Sequence, residues 1–395
     1  MRDPLYIAGA GIGGLTAAIA LARRSRPVTV LERAPSLEPV GSGLQISPNA
    51  FHVLRDLGLE EPLRRLAVAP EAIKILSGRS GAAIAEVPLG RTAEARYGAP
   101  YLVIHRGDLQ RVLLDAAGAT PDITLRLGTR VRDAQQDDDA VRLDLETDEA
   151  GDHARAAALI GADGVWSTVR RRILGLRQAV FSGRTAYRAV LPIDAVPQRW
   201  RTVTGLWLGP DAHVVHYPVS AGRQFNIVAL VKEDWDAETW STPADPQALK
   251  ARFSGWAAEV RELLALPQDW LKWALCGMDP GTTWVHGRIG LLGDAAHAML
   301  PFAAQGAGMS IEDAEALARQ LEAHRDDPAR ALAAYQHERQ DRAERVLRLA
   351  RANDRVYHLA GPLAVGRDMV MRALSGERLL ARLDWLYGWR PPQAR

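Results

Sequence analysis

Two short apolar runs flank an Ala/Leu-rich stretch at the start of the chain, and that order predicts strand, helix, strand. Residues 5–10 read as a buried strand, 11–25 as a helix and 27–32 as a second strand, which together open a βαβ unit. A Gly/Ser/Pro-rich loop from Val40 to Pro48 precedes an amphipathic helix over 49–57, and another helix is expected over 108–116. Strands at 123–127 and 141–145 are expected to flank Asp137, Asp138 and Asp139, read as a solvated hairpin tip. From about 179 to 273 the period shortens to two, with Val-, Thr- and Trp-rich segments at 185–191, 203–208, 213–219 and 225–231. Such alternation predicts a separate, mostly antiparallel sheet. An apolar strand at 290–293 resumes the first pattern, and helix follows from 305 nearly to the end.

Composition narrows this picture. The 395 residues, 47% hydrophobic and 24% charged, can bury a large core and divide into about two or three domains. The formal net charge of +2 carries no basic block, so no nucleic-acid partner is inferred. A single cysteine, Cys276, can form no internal disulfide and has no metal-ligand cluster around it, which fits a reducing cytoplasm and no metal site. The apolar run 7–22 is too short to span a bilayer and carries four glycines, so neither a signal peptide nor a membrane anchor is expected. Arg339 to Arg355 alternate with acids and apolar residues at helical spacing and read as a solvated helix face.

The chemistry begins at Gly9-x-Gly11-x-x-Gly14, between the first strand and helix. Gly9 permits the tight turn, Gly11 lets a pyrophosphate approach the backbone and Gly14 lets helix and strand pack closely. The helix N-terminus offers unpaired N–H groups to the phosphates. Glu32, about twenty residues on, is placed to accept ribose hydroxyls, with Arg33 beside it as a further cofactor contact. This pattern by itself does not separate NAD from FAD.

Two later segments do. Gly161-Ala162-Asp163-Gly164 with Ser167 and Arg170, and Gly293-Asp294-Ala295-Ala296-His297 running through Pro301 and Gln305-Gly306-Ala307-Gly308 to Glu312-Asp313-Ala314, follow the first motif in order. The three together closely resemble the group A flavoprotein aromatic hydroxylases, and the resemblance covers nearly the whole chain. It implies an α/β fold, α+β overall, with a Rossmann-like FAD-binding domain from 1–70, 101–178 and 275–325. It also implies an inserted, mostly antiparallel substrate sheet from 71–100 and 179–274, and a helical C-terminal region, 326–395. One FAD would be held by Asp294, by Pro301, and by the Gly306, Ala307, Gly308 and Met309 backbone opening a helix toward the flavin. Arg106 matches a cofactor-contacting arginine. Asp163 matches a carboxylate that bridges FAD and NAD(P)H binding, with a structural role in its own turn as the alternative. Gly41 to Gln45 and Pro48 to Ala50 resemble a mobile flavin-contacting loop.

In His213-Val214-Val215-His216-Tyr217-Pro218, period-two geometry puts His213, Val215 and Tyr217 on one face and His216 on the other. A His and a Tyr sharing a face suit a pocket that deprotonates a phenol. The pairing resembles the sites of the hydroxybenzoate and hydroxynicotinate hydroxylases, as does Gln45 for the former. Gln45, Trp207, Phe302 and Gln305 are expected to contact substrate. Arg188 could hold a substrate carboxylate, although the outer face of its strand is the expected position, and His297 is expected to order its loop. The implied reaction is hydroxylation of a small aromatic acid with NADH or NADPH and dioxygen through a flavin C4a-hydroperoxide, in a monomer or homodimer. The rivals are a non-catalytic or redox-sensing flavoprotein and a flavin-dependent halogenase; the halogenase signature Trp-x-Trp-x-Ile-Pro is absent.

Overall fold

A computed structural model describes residues 3–37, 41–147, 151–235 and 241–392. Val40, the start of the expected glycine-rich loop, lies outside the described residues. The first sheet has six strands in the order Val285–His286, Ile289–Leu291, Ala158–Gly161, Leu5–Ala8, Val28–Leu31 and Ile123–Arg126, all parallel except the outer pair at Val285–His286. Its first strand is therefore central. Ile12–Ala22 follows immediately as a helix with every residue from Gly14 to Ala22 buried, because it lies between that sheet and the helix Gly306–Ala323. Small side chains at its Gly and Ala positions allow this close double packing.

The hairpin around Asp137 to Asp139 exists, but its first strand is not the expected one. Arg130–Gln136 pairs with Val141–Glu146, and His153–Ala156 completes a three-stranded antiparallel sheet, whereas Ile123–Arg126 runs parallel beside Val28–Leu31. Arg130–Gln136 carries Val131 and Ala134 among polar residues, so its hydrophobic pattern is too weak to mark a strand.

The second large sheet has eight strands in the order Ser241–Ala244, Trp270–Gly277, Val180–Pro192, Gln224–Lys232, Ala212–Val219, Thr204–Gly209, Ala72–Ser77 and Ala83–Pro88. It is mostly antiparallel, and strands from residues 72–88 join those from 180–277. One face is covered by the helices Pro246–Arg252 and Ala258–Ala265, which bury Trp207, Val214, Phe225 and Ile227. The other face packs on the segment at 41–46 and on Phe302.

Helix Pro328–Tyr357 lies along Gly306–Ala323. Its arginine-rich run is not wholly a solvated face. Arg339 is buried and pairs with Glu312 at 2.7 Å and Asp313 at 2.8 Å, and Arg342 joins Glu312 at 2.7 Å. Arg339, Ala343, Val346 and Ala350 recur at helical spacing and form the buried stripe, and Arg348 and Arg351 remain on the wet side. Among the described residues no helix is long and apolar enough to cross a membrane, and no His/Cys/Asp/Glu cluster could hold a metal ion.

Candidate active site

At the first turn, Gly9 has φ +108°, and a Cβ there would lie 2.5 Å from the Ala162 carbonyl oxygen. At Gly14 a Cβ would meet the Gly9 carbonyl at 2.0 Å, while at Gly11 it would meet nothing within 4 Å. Two glycines are thus demanded by packing, and the middle one faces open space that a diphosphate can enter. Gly11 caps the helix in extended conformation without a side-chain cap, so the helix's first N–H groups remain free for an anion. Glu32 accepts from the Ala10 N–H and the Ala34 N–H, both at 2.9 Å, which fixes its carboxylate beside the turn. Arg33 is exposed next to it.

Asp294 opens the short helix Asp294–His297, and its Oδ1 lies 3.9 Å from where a Gly306 Cβ would be. Solvent reaches this carboxylate along the groove, yet protein surrounds it closely enough that burial raises its pKa, against the pull of His297 and Arg106. Gln305 caps helix Gly306–Ala323 without a side-chain bond to its backbone, so the Gly306, Ala307 and Gly308 N–H groups are open beside Asp294. Met309 does not belong with them. Its N–H is already bonded to the Gln305 carbonyl at 2.8 Å and its side chain is buried against Arg339. Pro301 opens the turn Pro301–Ala303 just upstream and is exposed. Arg106 stands exposed at the start of helix Arg106–Gly118, against Gly41, and its guanidinium has no acid partner among the described residues.

Asp163 takes its structural alternative. Its carboxylate accepts from Ser167 Oγ at 2.5 Å, Thr168 N at 2.7 Å and Val169 N at 3.2 Å, which caps the turn at 169–173 and leaves little capacity for a cofactor. Burial raises its pKa, with those bonds opposing.

The sheet face that packs on the 41–46 segment and Phe302 carries the expected catalytic side chains. His213, Val215 and Tyr217 share it, and His216 points to the other side, between Trp200 and Trp207. Burial, then His358 and Arg184, hold the His213 imidazole well below its ordinary pKa, so the ring is neutral. Its Nδ1 meets His358 Nε2 at 2.8 Å, and its Nε2 has no protein partner among the described residues. Phe302 packs against the ring at 5.4 Å. Burial pushes the Tyr217 phenol up, while Arg188 and a hydrogen bond with Gln45 pull it down. Asn226 Oδ1 accepts the Gly43 N–H at 2.7 Å and ties the glycine segment to the sheet.

Two expected substrate contacts lie elsewhere. Trp207 pairs opposite Val214 and is buried with Trp200 and His216 in the far core, because its strand parity places it away from His213. The Gln305 carboxamide is spent on Ser47 Oγ at 2.9 Å and Asn49 Nδ2 at 3.1 Å, and so joins two helices instead of facing a ring.

Arg188, expected on the outer face, is on the inner one. It is in register with Val228 and, through it, with Val215, and it is half-buried. Its Nη1 donates to Ser42 Oγ at 3.3 Å and its guanidinium lies 5.5 Å from the Trp273 ring centre. No carboxylate meets it among the described residues, its Nε is unsatisfied, and burial lowers its pKa. It lines a cleft of about 430 Å³ with Ser42, Val190, Pro243, Trp270 and Trp273, a size suited to a small ligand. That cleft stops short of His213 and Tyr217, which lie further along the same face.

Residues 3–350 match the FAD binding domain family. The chain belongs to that family. It is an FAD-dependent aromatic-ring monooxygenase, and its relatives are similar along their whole length. It is 37% identical over 391 residues to 3-hydroxybenzoate 6-hydroxylase 1 of Aquipseudomonas alcaligenes, covering 98% of both chains. To the 6-hydroxynicotinate 3-monooxygenase of Bordetella bronchiseptica it is 35% identical over 357 residues, 89% of this chain and 91% of the other. A salicylate hydroxylase substrate complex superposes with a TM-score of 0.83 at 27% identity, covering 98% of this chain and 96% of that one. The monooxygenase thus binds FAD, and the groove residues above fit that group.

Sequence reasoning underrated Arg188 and missed Asn226 and His358. The only available signal for the first was its place in a strand that alternates Ala186, Arg188 and Val190 on one face. Asn226 opposes Tyr217 across a strand pair, which no local pattern reveals.

Proposed function

We propose that this enzyme hydroxylates a small aromatic acid that already bears a hydroxyl group, a hydroxybenzoate, salicylate or hydroxynicotinate, using NADH or NADPH and dioxygen. The observation that carries the reading is a half-buried cation without an acid partner among the described residues, Arg188, its Nε buried and unsatisfied, on the same sheet face as a neutral His213 with a free Nε2. A half-buried guanidinium without an acid, with its Nε cut off from water, suits an anion from outside. A neutral buried imidazole can take a phenolic proton. Their strands are two inter-strand spacings apart, about 10 Å, within reach of one ring held between two long side chains.

Bound FAD supplies the redox chemistry that activates dioxygen. Gly9, Gly11, Gly14 and Glu32 would hold its nucleotide end, and Asp294 with Arg106 its linker. The open N–H groups of Gly306, Ala307 and Gly308 would stabilise negative charge on the ring. His213 accepts the phenolic proton at Nε2, and the resulting phenolate is electron-rich at its ortho and para carbons. Tyr217 and Gln45 position that oxygen. Phe302 and the sheet exclude water, which protects the oxidant from unproductive breakdown. In this reading 71–100 and 179–274 bind substrate, 1–70, 101–178 and 275–325 bind FAD, and 326–395 forms a helical end; the enzyme works as a monomer or homodimer in the cytoplasm.

The test is oxygen uptake, NAD(P)H consumption and product analysis on the holoenzyme with hydroxybenzoates, salicylate and 6-hydroxynicotinate. Substrate-dependent consumption with a hydroxylated product is expected. The same rate with and without every member of the panel sinks the proposal.

A further inference from the structure

His213 has a second, inward connection that its role as a base does not require. Its Nδ1 lies 2.8 Å from His358 Nε2, His358 Nδ1 lies 2.9 Å from Asp354 Oδ1, and Asp354 Oδ1 is 2.5 Å from Arg184 Nε. Both imidazoles are nearly buried, at 2% for His213 and 8% for His358, whereas the Asp354 side chain is 23% exposed. The row therefore begins at the groove and ends at solvent. His358 follows directly after the long helix Pro328–Tyr357 and Asp354 is one turn back, so a single helix end presents both to the sheet.

We propose that His358 and Asp354 form a proton relay that carries the substrate's phenolic proton from His213 to solvent. The inference rests on the function proposed above. Only one set of tautomers satisfies all the contacts with neutral rings. His213 keeps Nε2 bare for the substrate and donates from Nδ1 to His358 Nε2, and His358 donates from Nδ1 to the Asp354 carboxylate. In the step, the phenol O–H bond breaks and its electron pair stays on oxygen. The proton binds His213 Nε2, the Nδ1 proton of His213 moves to His358 Nε2, and the Nδ1 proton of His358 moves to Asp354. Asp354 then releases one proton to water. Charge and protons balance, and no redox partner is needed.

The surroundings explain why an outlet is useful. Arg184 comes from the strand Val180–Pro192, Tyr357 precedes His358, and Arg367 from the next helix closes on Asp368. Apart from Asp354, no acid lies against the imidazole pair among the described residues, so an imidazolium confined there is poorly compensated. Passing the charge one turn outward places it on a carboxylate held by a guanidinium at the surface.

The test reads ionisation of the bound ring by ultraviolet difference spectroscopy, not turnover. Oxidised holoenzyme is mixed in a stopped-flow instrument with 3-hydroxybenzoate, or with 6-hydroxynicotinate if the flavin spectrum responds only to that ring. Phenolate formation in His358→Gln, which keeps bulk and hydrogen bonding but cannot relay, should be slower by about tenfold or more. Flavin content and the flavin difference spectrum should not change. In His358→Ala, added imidazole should restore the rate, and the ionisation rate should lose its wild-type pH dependence. Wild-type rates in both variants, with His213→Ala slow, overturn the relay alone. Wild-type ionisation in His213→Ala overturns the base assignment, and with it the relay. An His358→Ala defect that imidazole leaves untouched, with His358→Gln normal, assigns the residue to packing and also overturns the relay.

Discussion

His213 is buried and Arg188 half-buried on one sheet face, and their replacements should separate proton transfer from substrate binding. His213→Ala removes a proton acceptor and should lower hydroxylation by about 10² to 10⁴, with bound flavin retained, when turnover and the yellow absorbance are measured together. Arg188→Met should raise KM for the aromatic acid by about tenfold to a hundredfold, the value of a charge-assisted hydrogen bond of ~1.5–3 kcal/mol. A variant with wild-type KM removes Arg188 as the carboxylate anchor.

At the scale of elements, the proposed cofactor contacts fall at helix starts. Ala307→Pro deletes one open N–H in the first turn of Gly306–Ala323, where proline is tolerated. The expected result is a holoenzyme with normal far-ultraviolet circular dichroism and a more negative flavin reduction potential; an unchanged potential argues that this helix end does not face the ring. Asp163→Ala removes the cap on 169–173 and should cost about 1–2 kcal/mol in denaturant melts.

Elements were legible where one period dominated. Leu5–Ala8 and Val28–Leu31 follow from short apolar runs and the strands holding His213 and Phe225 from local alternation, and the glycine motif places the first helix between the first two. Arg130–Gln136 was not legible, because its apolar positions are too few. The parity of His213, His216 and Tyr217 could be read from one strand. The parity of Trp207 relative to them could not, because it depends on the register between neighbouring strands. For the same reason Arg188 looked like a surface residue and Arg339 like part of a wet stripe: the acids or empty cavities opposite a side chain are set by distant segments. Asp163 shows a motif residue whose local sequence already contained its partners, Ser167 and Thr168.

Across the whole molecule, Arg339 binds helix Pro328–Tyr357 to helix Gly306–Ala323. Glu312 and Asp313 are fully buried, and besides Arg339 they are met by Arg342, His297 and Asn49. Arg339→Met leaves two buried carboxylates short of a partner and should cost about 3–5 kcal/mol, read from thermal or urea unfolding of the holoenzyme. For Asp313 burial favours the neutral acid, but His297 and Arg339 outweigh it and the folded pKa is lowered. Its contribution is therefore complete above the unfolded value near 3.9 and is lost as pH falls through the lower folded value. Acid unfolding of the wild type should steepen below about pH 4, and Arg339→Met should show a shallower dependence there.

Strand order also constrains how the protein is made. Leu5–Ala8 leaves the ribosome well before one of its two neighbours, Ala158–Gly161, which arrives some 150 residues later, and Asp294 and Gly306–Gly308 come later still. Until then a nascent chain exposes an apolar strand edge that nothing covers, a state prone to association. On the proposed assignment, a translation product that stops before the second glycine-rich helix start has the nucleotide end of the cradle without the ring end and should not retain flavin, so loading is expected only after residues 306–308 have emerged.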